Sequence, residues 1–361
     1  MRILLDDGNQ ICLGTGIGKY SQHLYDSIKA LGENIELVQQ TQKHNRVWGR
    51  IKYLVTINGR KYQKKITQKY DVVIYTNYAI PFRKNRKTKY VATIHDMASF
   101  YHPYTLPILY RIYNKWMIIN TIKNADKIFT VSNSTKEEIN KTFPKATDVV
   151  VVYPGLYEGI EPMEAYEMYA NKVIKDIDNY PYFLFVGTIE KRKNVGFVID
   201  AFIQLKRMCE KAKDSKLVLA GRPGFGYDSF VKKVEQSEYS GDILFTGYIS
   251  EQDCNRLYNH AQAFIFPTRY EGFGSTQLEC MKCHLPIILS DIPTNREVSR
   301  NYGLFFGLDD LESLVQQMSI IVEQKYNFNK KRMLADEYLL EFDWNKASKE
   351  YMSELKSMVG Y

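Results

Sequence analysis

Two glutamates eight positions apart, Glu271 and Glu279, stand in the window FIFPTRYEGFGSTQLECMKCHLPIIL at residues 264–289. An aromatic and β-branched run ends at Pro267, a glycine-punctuated turn carries Glu271, an amphipathic stretch carries Glu279, and a second apolar run follows Pro286. That order reads as strand, tight turn, helix, strand, with the acids at the carboxyl end of a strand, where open α/β sheets bind ligands. Gly272 and Gly274 let the backbone come close to a ligand, and the helix start offers unpaired N–H groups to an anion. A spacing of eight is about two helical turns, so both carboxylates can look toward one end of a cleft.

Three further clusters carry chemistry. In GTIEKRKN (187–194), which follows an apolar run and opens a helix, Arg192 and Lys193 set cations beside helix-start amides, a natural diphosphate site. His95-Asp96 ends the run YVATI, again at a strand's carboxyl edge, with His95 able to make a polar contact there. Gly14, Gly16 and Gly18 form a GxGxG that invites a dinucleotide reading. It lies several residues beyond its strand and lacks a following ribose-binding acid, which disfavours a nicotinamide-dependent dehydrogenase.

The spacing E-G-F-G-x-x-x-L-E-x-M resembles the signature of retaining GT-B glycosyltransferases of family 4, and GTIEKRKN resembles a motif of its bacterial mannosyl- and rhamnosyltransferase branch. The resemblance is strongest over 182–300 and weakest over 34–90. It implies that Glu271 lies beside the donor sugar, that Glu279 grips the ribose, and that backbone amides from Gly272 through Phe273, Gly274, Ser275 and Thr276 hold the diphosphate. It further implies that Arg192 and Lys193 neutralise the β-phosphate and that His95 lies near the reacting sugar. Gly16 would cap the diphosphate from the opposite domain, and Tyr248, in FTGYI (245–249), would lie near the base. Ser275-Thr276 stands where the family usually has Leu-Pro, Thr188 where other branches have Arg, and His284 where a glycine is usual. The first two departures leave the donor's identity open.

These residues need a scaffold of strands. Short apolar runs at 2–5, 71–75, 90–94, 127–131 and 149–153 alternate with helical stretches, and Pro154-Gly155 closes the series. A polar stretch follows, and a second series opens with runs at 182–187, 216–220 and 243–247. The expected fold is α/β, two Rossmann-like doubly wound domains facing a central cleft. The resemblance, which extends to Phe342-Asp343-Trp344, implies an acceptor-binding domain at 1–156, a linker at 157–180, a nucleotide-sugar domain at 181–342 and a C-terminal helix at 343–361 crossing back to the first domain.

Composition narrows the function classes. The chain has 361 residues and five scattered cysteines, so no disulfide framework is expected. The longest apolar stretch, Leu106 to Ala125, is interrupted by Arg111, Lys115 and Lys123, which argues against a membrane span. The start MRILLDD lacks an apolar leader, and a cytoplasmic protein is expected. Residues 1–150 hold 24 Lys/Arg against 11 Asp/Glu, while the whole chain carries a formal charge of +8. Between Lys43 and Lys89 the only acid is Asp71, and aromatics (Trp48, Tyr53, Tyr62, Tyr70, Tyr75, Tyr78, Phe82) interleave the cations. Such a segment suits an anionic membrane surface or a nucleic acid; a solvated lysine-rich surface accounts for it equally. The reading that absorbs most features is a retaining glycosyltransferase without a metal. It would move a hexosyl unit from a nucleoside-diphosphate sugar to a glycan or lipid-linked glycan acceptor in surface polysaccharide synthesis, peripheral to the inner membrane face and with no nucleic acid. The alternatives are a sugar-nucleotide epimerase on a similar fold and a basic protein that binds nucleic acid or membrane.

Overall fold

A computed structural model describes residues 1–8, 10, 15–38, 46–83, 87–146, 148–163, 171–300, 302–326 and 329–360. Gly14 and the segment 39–45, including Lys43, lie outside the described residues. The chain divides into two compact units. The first comprises 1–103, 108–155 and 342–361, and the second comprises 104–107 and 156–341.

In the first unit β1 (Arg2–Asp6), β2 (Asn34–Leu37), β3 (Val72–Tyr75), β4 (Lys89–Ile94), β5 (Lys127–Thr130) and β6 (Val149–Val151) form a parallel sheet of order β2-β1-β3-β4-β5-β6. β3 is buried at every position, as the central strand of a sheet covered on both faces must be. The helix Gly16–Ala30 is capped by Thr15, whose hydroxyl accepts from the Gly18 amide at 3.0 Å. Ser132 caps the helix Asn133–Thr142 in the same way.

In the second unit β7 (Tyr182–Val186), β8 (Lys216–Ala220), β9 (Ile243–Gly247), β10 (Ala263–Phe266), β11 (Ile287–Ser290) and β12 (Leu304–Phe306) form a parallel sheet of order β12-β11-β10-β7-β8-β9. Both sheets are doubly wound, in agreement with the expected fold. The second reverses direction between β7 and β10, the topological switch point at which such sheets bind ligands.

Two readings change with the structure in hand, that of the stretch 157–180 and that of the aromatics in the basic segment. The stretch 157–180, expected as a linker, belongs to the second unit: Ile160, Ile174 and Ile177 are buried, and the Glu161 amide donates to Asn255 Oδ1 at 2.9 Å. Residues 342–361 belong to the first unit, where Tyr351 of the helix Trp344–Val359 stacks on Phe129 of β5 at 3.7 Å between ring centroids. Most described aromatics of the basic segment face inward. Tyr53, Tyr70 and Tyr75 are buried, and the hydroxyls of Tyr53 and Tyr62 donate to the buried Asp6 carboxylate at 3.0 and 2.6 Å. They tie the helices Arg46–Asn58 and Arg60–Lys69 to the end of β1 and are unavailable to an outside partner. Burial pushes the Asp6 carboxyl above its ordinary value, against the opposing effect of the bonds from Tyr62, the Gly8 amide and Tyr53.

Candidate active site

The loops after β7 and β10, on either side of the switch point, bring three charged groups together. Arg192 and Lys193 lie on a short 3₁₀ turn, Lys191–Lys193, between β7 and the helix Val195–Met208. Glu271 lies in the loop after β10. Its Oε1 accepts from Arg192 Nη1 at 3.2 Å, from Thr268 Oγ1 at 2.9 Å and from Lys193 Nζ. Arg192 also donates to the Tyr270 carbonyl at 2.9 Å and pairs with Glu190 at 2.9 Å, while Lys193 sits 5.0 Å over the Phe266 ring. Among the described residues all the bonds to the Glu271 carboxylate fall on Oε1 and none on Oε2.

Burial acts on both partners but resolves differently. It opposes ionisation of Glu271, yet Lys193 and Arg192 together outweigh it and hold the carboxyl below its ordinary value. Burial also lowers Lys193, and there the attraction of Glu271 is partly cancelled by repulsion from Arg192. The cluster is an ionised carboxylate facing two cations, and Glu190 pairs with the outer one, Arg192, so the formal charges of the four side chains balance.

The loop then turns into an anion-binding shape. Gly274 has φ +82°, and a Cβ there would stand 2.6 Å from Gln277 Nε2, so only glycine fits. Ser275 follows in the right-handed region, and alternating hands of this kind form a nest of backbone N–H groups. Among the described residues the amides of Gly274, Ser275 and Thr276 donate to no protein acceptor, and the next two, those of Gln277 and Leu278, turn back to the Gly274 and Ser275 carbonyls. Phe273 is buried beneath the loop, and the Thr294 hydroxyl fixes the Glu271 carbonyl at 2.9 Å. Glu279, on the helix Thr276–Lys282, accepts from the buried Tyr258 hydroxyl at 3.0 Å.

A buried polar network holds this loop from behind. Ser290 Oγ donates to the Thr268 carbonyl at 2.6 Å, Asn295 Nδ2 to the Ser290 carbonyl at 2.9 Å, and Gln277 Nε2 to Asn295 Oδ1 at 3.0 Å. Thr268, Ser290, Asn295 and Gln277 are all fully buried. Sequence reasoning passed over all four. The available signal was polar side chains at strand-end and helix positions otherwise filled by apolar residues.

The other expected residues fall elsewhere. Tyr248, just past β9, is 66% exposed, and its ring lies 4.5 Å from the Arg222 guanidinium. His284 occupies the left-handed region at φ +54°, which accounts for the family's glycine there, and its Nε2 meets Asp336 at 2.7 Å. His95 and Gly16 belong to the first unit. The His95 Nε2 lies 2.8 Å from the Thr76 carbonyl, its ring meets Tyr20 edge-on, and burial pulls its pKa below the usual value. Gly16 opens the helix Gly16–Ala30, where an added Cβ would meet nothing within 4 Å. The fold itself therefore does not require glycine at this position.

Residues 170–338 match the family described as Glycosyl transferases group 1, and residues 23–157 match Glycosyltransferase Family 4. The chain belongs to the GT-B glycosyltransferases of family 4. Among this family's members it is similar to the O-antigen chain mannosyltransferase B of Escherichia coli, with 29% identity over 66% of this chain and 61% of that protein. The match thus spans less than two thirds of that relative's own length. The O-antigen chain mannosyltransferase RfbU of Salmonella typhimurium is 25% identical over 75% of this chain and 73% of that protein. Among solved structures, a sucrose-phosphate synthase from Thermosynechococcus elongatus superposes with a TM-score of 0.75 at 14% identity, covering 100% of this chain and 99% of that one. Anabaena HepE in complex with UDP gives 0.70 at 14% identity, covering 99% and 100%. At these identities the structural neighbours show the GT-B fold alone.

Proposed function

We propose that this family 4 glycosyltransferase moves a hexosyl unit from a nucleoside-diphosphate sugar to a glycan or lipid-linked glycan acceptor, with retention of configuration. The observation that carries the reading is the convergence of Arg192, Lys193, Glu271 and the Gly274–Thr276 amides across the β7/β10 switch point. In glycosyl transfer from such a donor, negative charge builds up on the departing diphosphate. Two cations and a nest of fixed amides stabilise that charge without reorganising, so the protein's own groups supply what a metal would otherwise provide. Glu271 Oε2, which takes no bond among the described residues, would take a sugar hydroxyl, and Glu279 with Tyr258 would take the ribose.

For Gly16 and His95 on the first unit, the proposed roles are a backbone contact to the diphosphate and a neutral polar contact to the sugar. Tyr248 is assigned to the base. The relatives named as O-antigen mannosyltransferases favour a mannosyl donor and a place in surface polysaccharide synthesis. Among the described residues no helix is long and apolar enough to cross a membrane, so a lipid-linked acceptor would be met by peripheral contact at the cytoplasmic face.

The test is thermal-shift screening of wild type and Lys193→Ala against UDP-, GDP- and dTDP-sugars, with and without magnesium. The expected result is stabilisation by one nucleotide class without metal, lost in the variant. Stabilisation by none of them would overturn the reading.

A further inference from the structure

The helix Ile108–Asn124 is apolar on more than one face. Its inward face buries Met117 and Ile118 together with three polar side chains: Asn114 Oδ1 accepts from Tyr78 at 2.8 Å, Asn120 Nδ2 donates to the Ile80 carbonyl at 2.9 Å, and Thr121 Oγ1 donates to the Tyr78 carbonyl. Its outward face carries Ile108, Leu109, Ile112 and Trp116, which are 63%, 76%, 58% and 51% exposed. At about 3.6 residues per turn, positions 108, 112 and 116 form one stripe, with 114 and 121 on the far side. A water-facing helix normally turns polar side chains outward, whereas this one exposes a stripe of large apolar ones.

The apolar surface continues onto a neighbouring helix. The Arg50 guanidinium of the helix Arg46–Asn58 lies 4.3 Å over the Tyr110 ring and 5.4 Å from that of Tyr113. One and five residues further along that helix, Ile51 and Val55 are 47% and 69% exposed. The exposed Phe82 ring stands 4.8 Å from Trp116, and the Phe82 amide donates to Asn58 Oδ1 at the end of the same helix.

Charge identifies the occupant. Neither 46–69 nor 108–124 contains an Asp or Glu, while Lys52, Lys61, Lys64, Lys65 and Lys123 are exposed. Protein interfaces are depleted of lysine at their core, whereas aliphatics and Trp flanked by lysines suit the headgroup–acyl boundary of an anionic bilayer. With 17 residues and three cations the helix Ile108–Asn124 would lie on a bilayer rather than span it.

We infer that Ile108, Leu109, Ile112 and Trp116 of this helix, with Ile51 and Val55 beside it, dock the first unit on an anionic lipid surface, with the surrounding lysines paired to lipid phosphates. This rests on the proposed function only for the use of the surface, which is delivery of a lipid-linked acceptor; the docking stands on the two helices. The membrane-facing element is then chiefly the helix at 108–124, and the tyrosines of the basic 43–89 segment serve the interior.

The test is co-sedimentation of the whole chain with vesicles of phosphatidylcholine and phosphatidylglycerol in equal parts, and with phosphatidylcholine alone. Wild type is expected to bind the anionic vesicles and to be released by salt. The double variant Ile112→Ser/Trp116→Ser should bind at least about tenfold more weakly, and Lys123→Glu roughly ten- to thirtyfold more weakly. Both should keep the wild-type melting point, because these side chains are exposed, and both should keep donor-induced thermal shifts. Absence of vesicle binding, equal binding to neutral vesicles, or unchanged binding by the double variant would overturn the docking while leaving the donor site intact. Vesicle binding without any donor shift would uphold the docking and overturn the proposed transfer instead.

Discussion

Replacing Glu271 by Gln removes the carboxylate charge and leaves its shape. Lys193 then keeps its burial without its neutralising partner, while Arg192 keeps Glu190 and the Tyr270 carbonyl. The side chains of Glu271, Lys193 and Arg192 are 10%, 14% and 20% exposed, so solvent screens the pair weakly. Breaking a buried pair from one side costs about 3–5 kcal/mol. At roughly 2–4 °C per kcal/mol for a unit of this size, the second unit should melt about 6–20 °C lower. Lys193→Met added to Glu271→Gln should recover a large part of that loss, because no buried lysine remains uncompensated. A nucleoside diphosphate should raise the melting point of Glu271→Gln more than that of wild type, since the anion replaces the missing carboxylate. The pH dependence has a definite sign: the folded carboxyl lies below its unfolded value, so its contribution is complete above about pH 4.5 and is lost as pH falls through the folded value. The assay is differential scanning fluorimetry of the four proteins of the cycle, with and without nucleotide. Additive effects in the cycle, or a smaller nucleotide shift in Glu271→Gln than in wild type, would refute the reasoning.

Further expectations can be checked together. Thr268→Val deletes the 2.9 Å bond to Glu271 Oε1 and should cost about 1–2 kcal/mol in denaturant unfolding, with weaker donor binding by calorimetry. Gly274→Ala forces a Cβ to 2.6 Å from Gln277 Nε2 at a left-handed position; a loss of about 1–3 kcal/mol and of nucleotide binding is expected. Burial lowers the His95 pKa, so the unfolded chain binds a proton near pH 6.5 that the folded imidazole refuses. Stability of the first unit should therefore fall as pH drops below about 6.5, and melting curves of His95→Gln should lack that component. Equal slopes for the two proteins would place the acid sensitivity elsewhere.

Much of the fold can be read from the chain because parallel strands covered on both faces are continuous apolar runs, as in YFLFV at β7 or VVIY at β3. The edge strands β2 (NIEL) and β12 (LFF) are short and partly exposed, and they pass as loop on the same criterion. The residues of the site were recognisable by type, but the contact of Glu271 with Arg192 and Lys193 was not. It depends on β10 lying beside β7, which no local pattern encodes. The polar network behind the loop escaped for a related reason: Gln277 and Asn295 meet only once two helices are packed. Composition also misdirected the reading of the basic segment, because counting tyrosines says nothing about which way they face. Tyr53 and Tyr62 turn inward to Asp6, while the exposed Trp116 sits on a helix whose sequence argues only against a membrane span.

The helix Trp344–Val359 belongs to the sheet made by residues 2–151, although nearly two hundred residues separate it from β6. The order of synthesis therefore differs from the order of completion. The second unit has all its strands once residue 306 has emerged, whereas Phe129 waits for Tyr351 to cover it. Until then the first unit presents an uncovered aromatic surface to the ribosome-bound chain. A premature stop just after residue 341 would leave the unit that starts the chain unfinished and the later one whole.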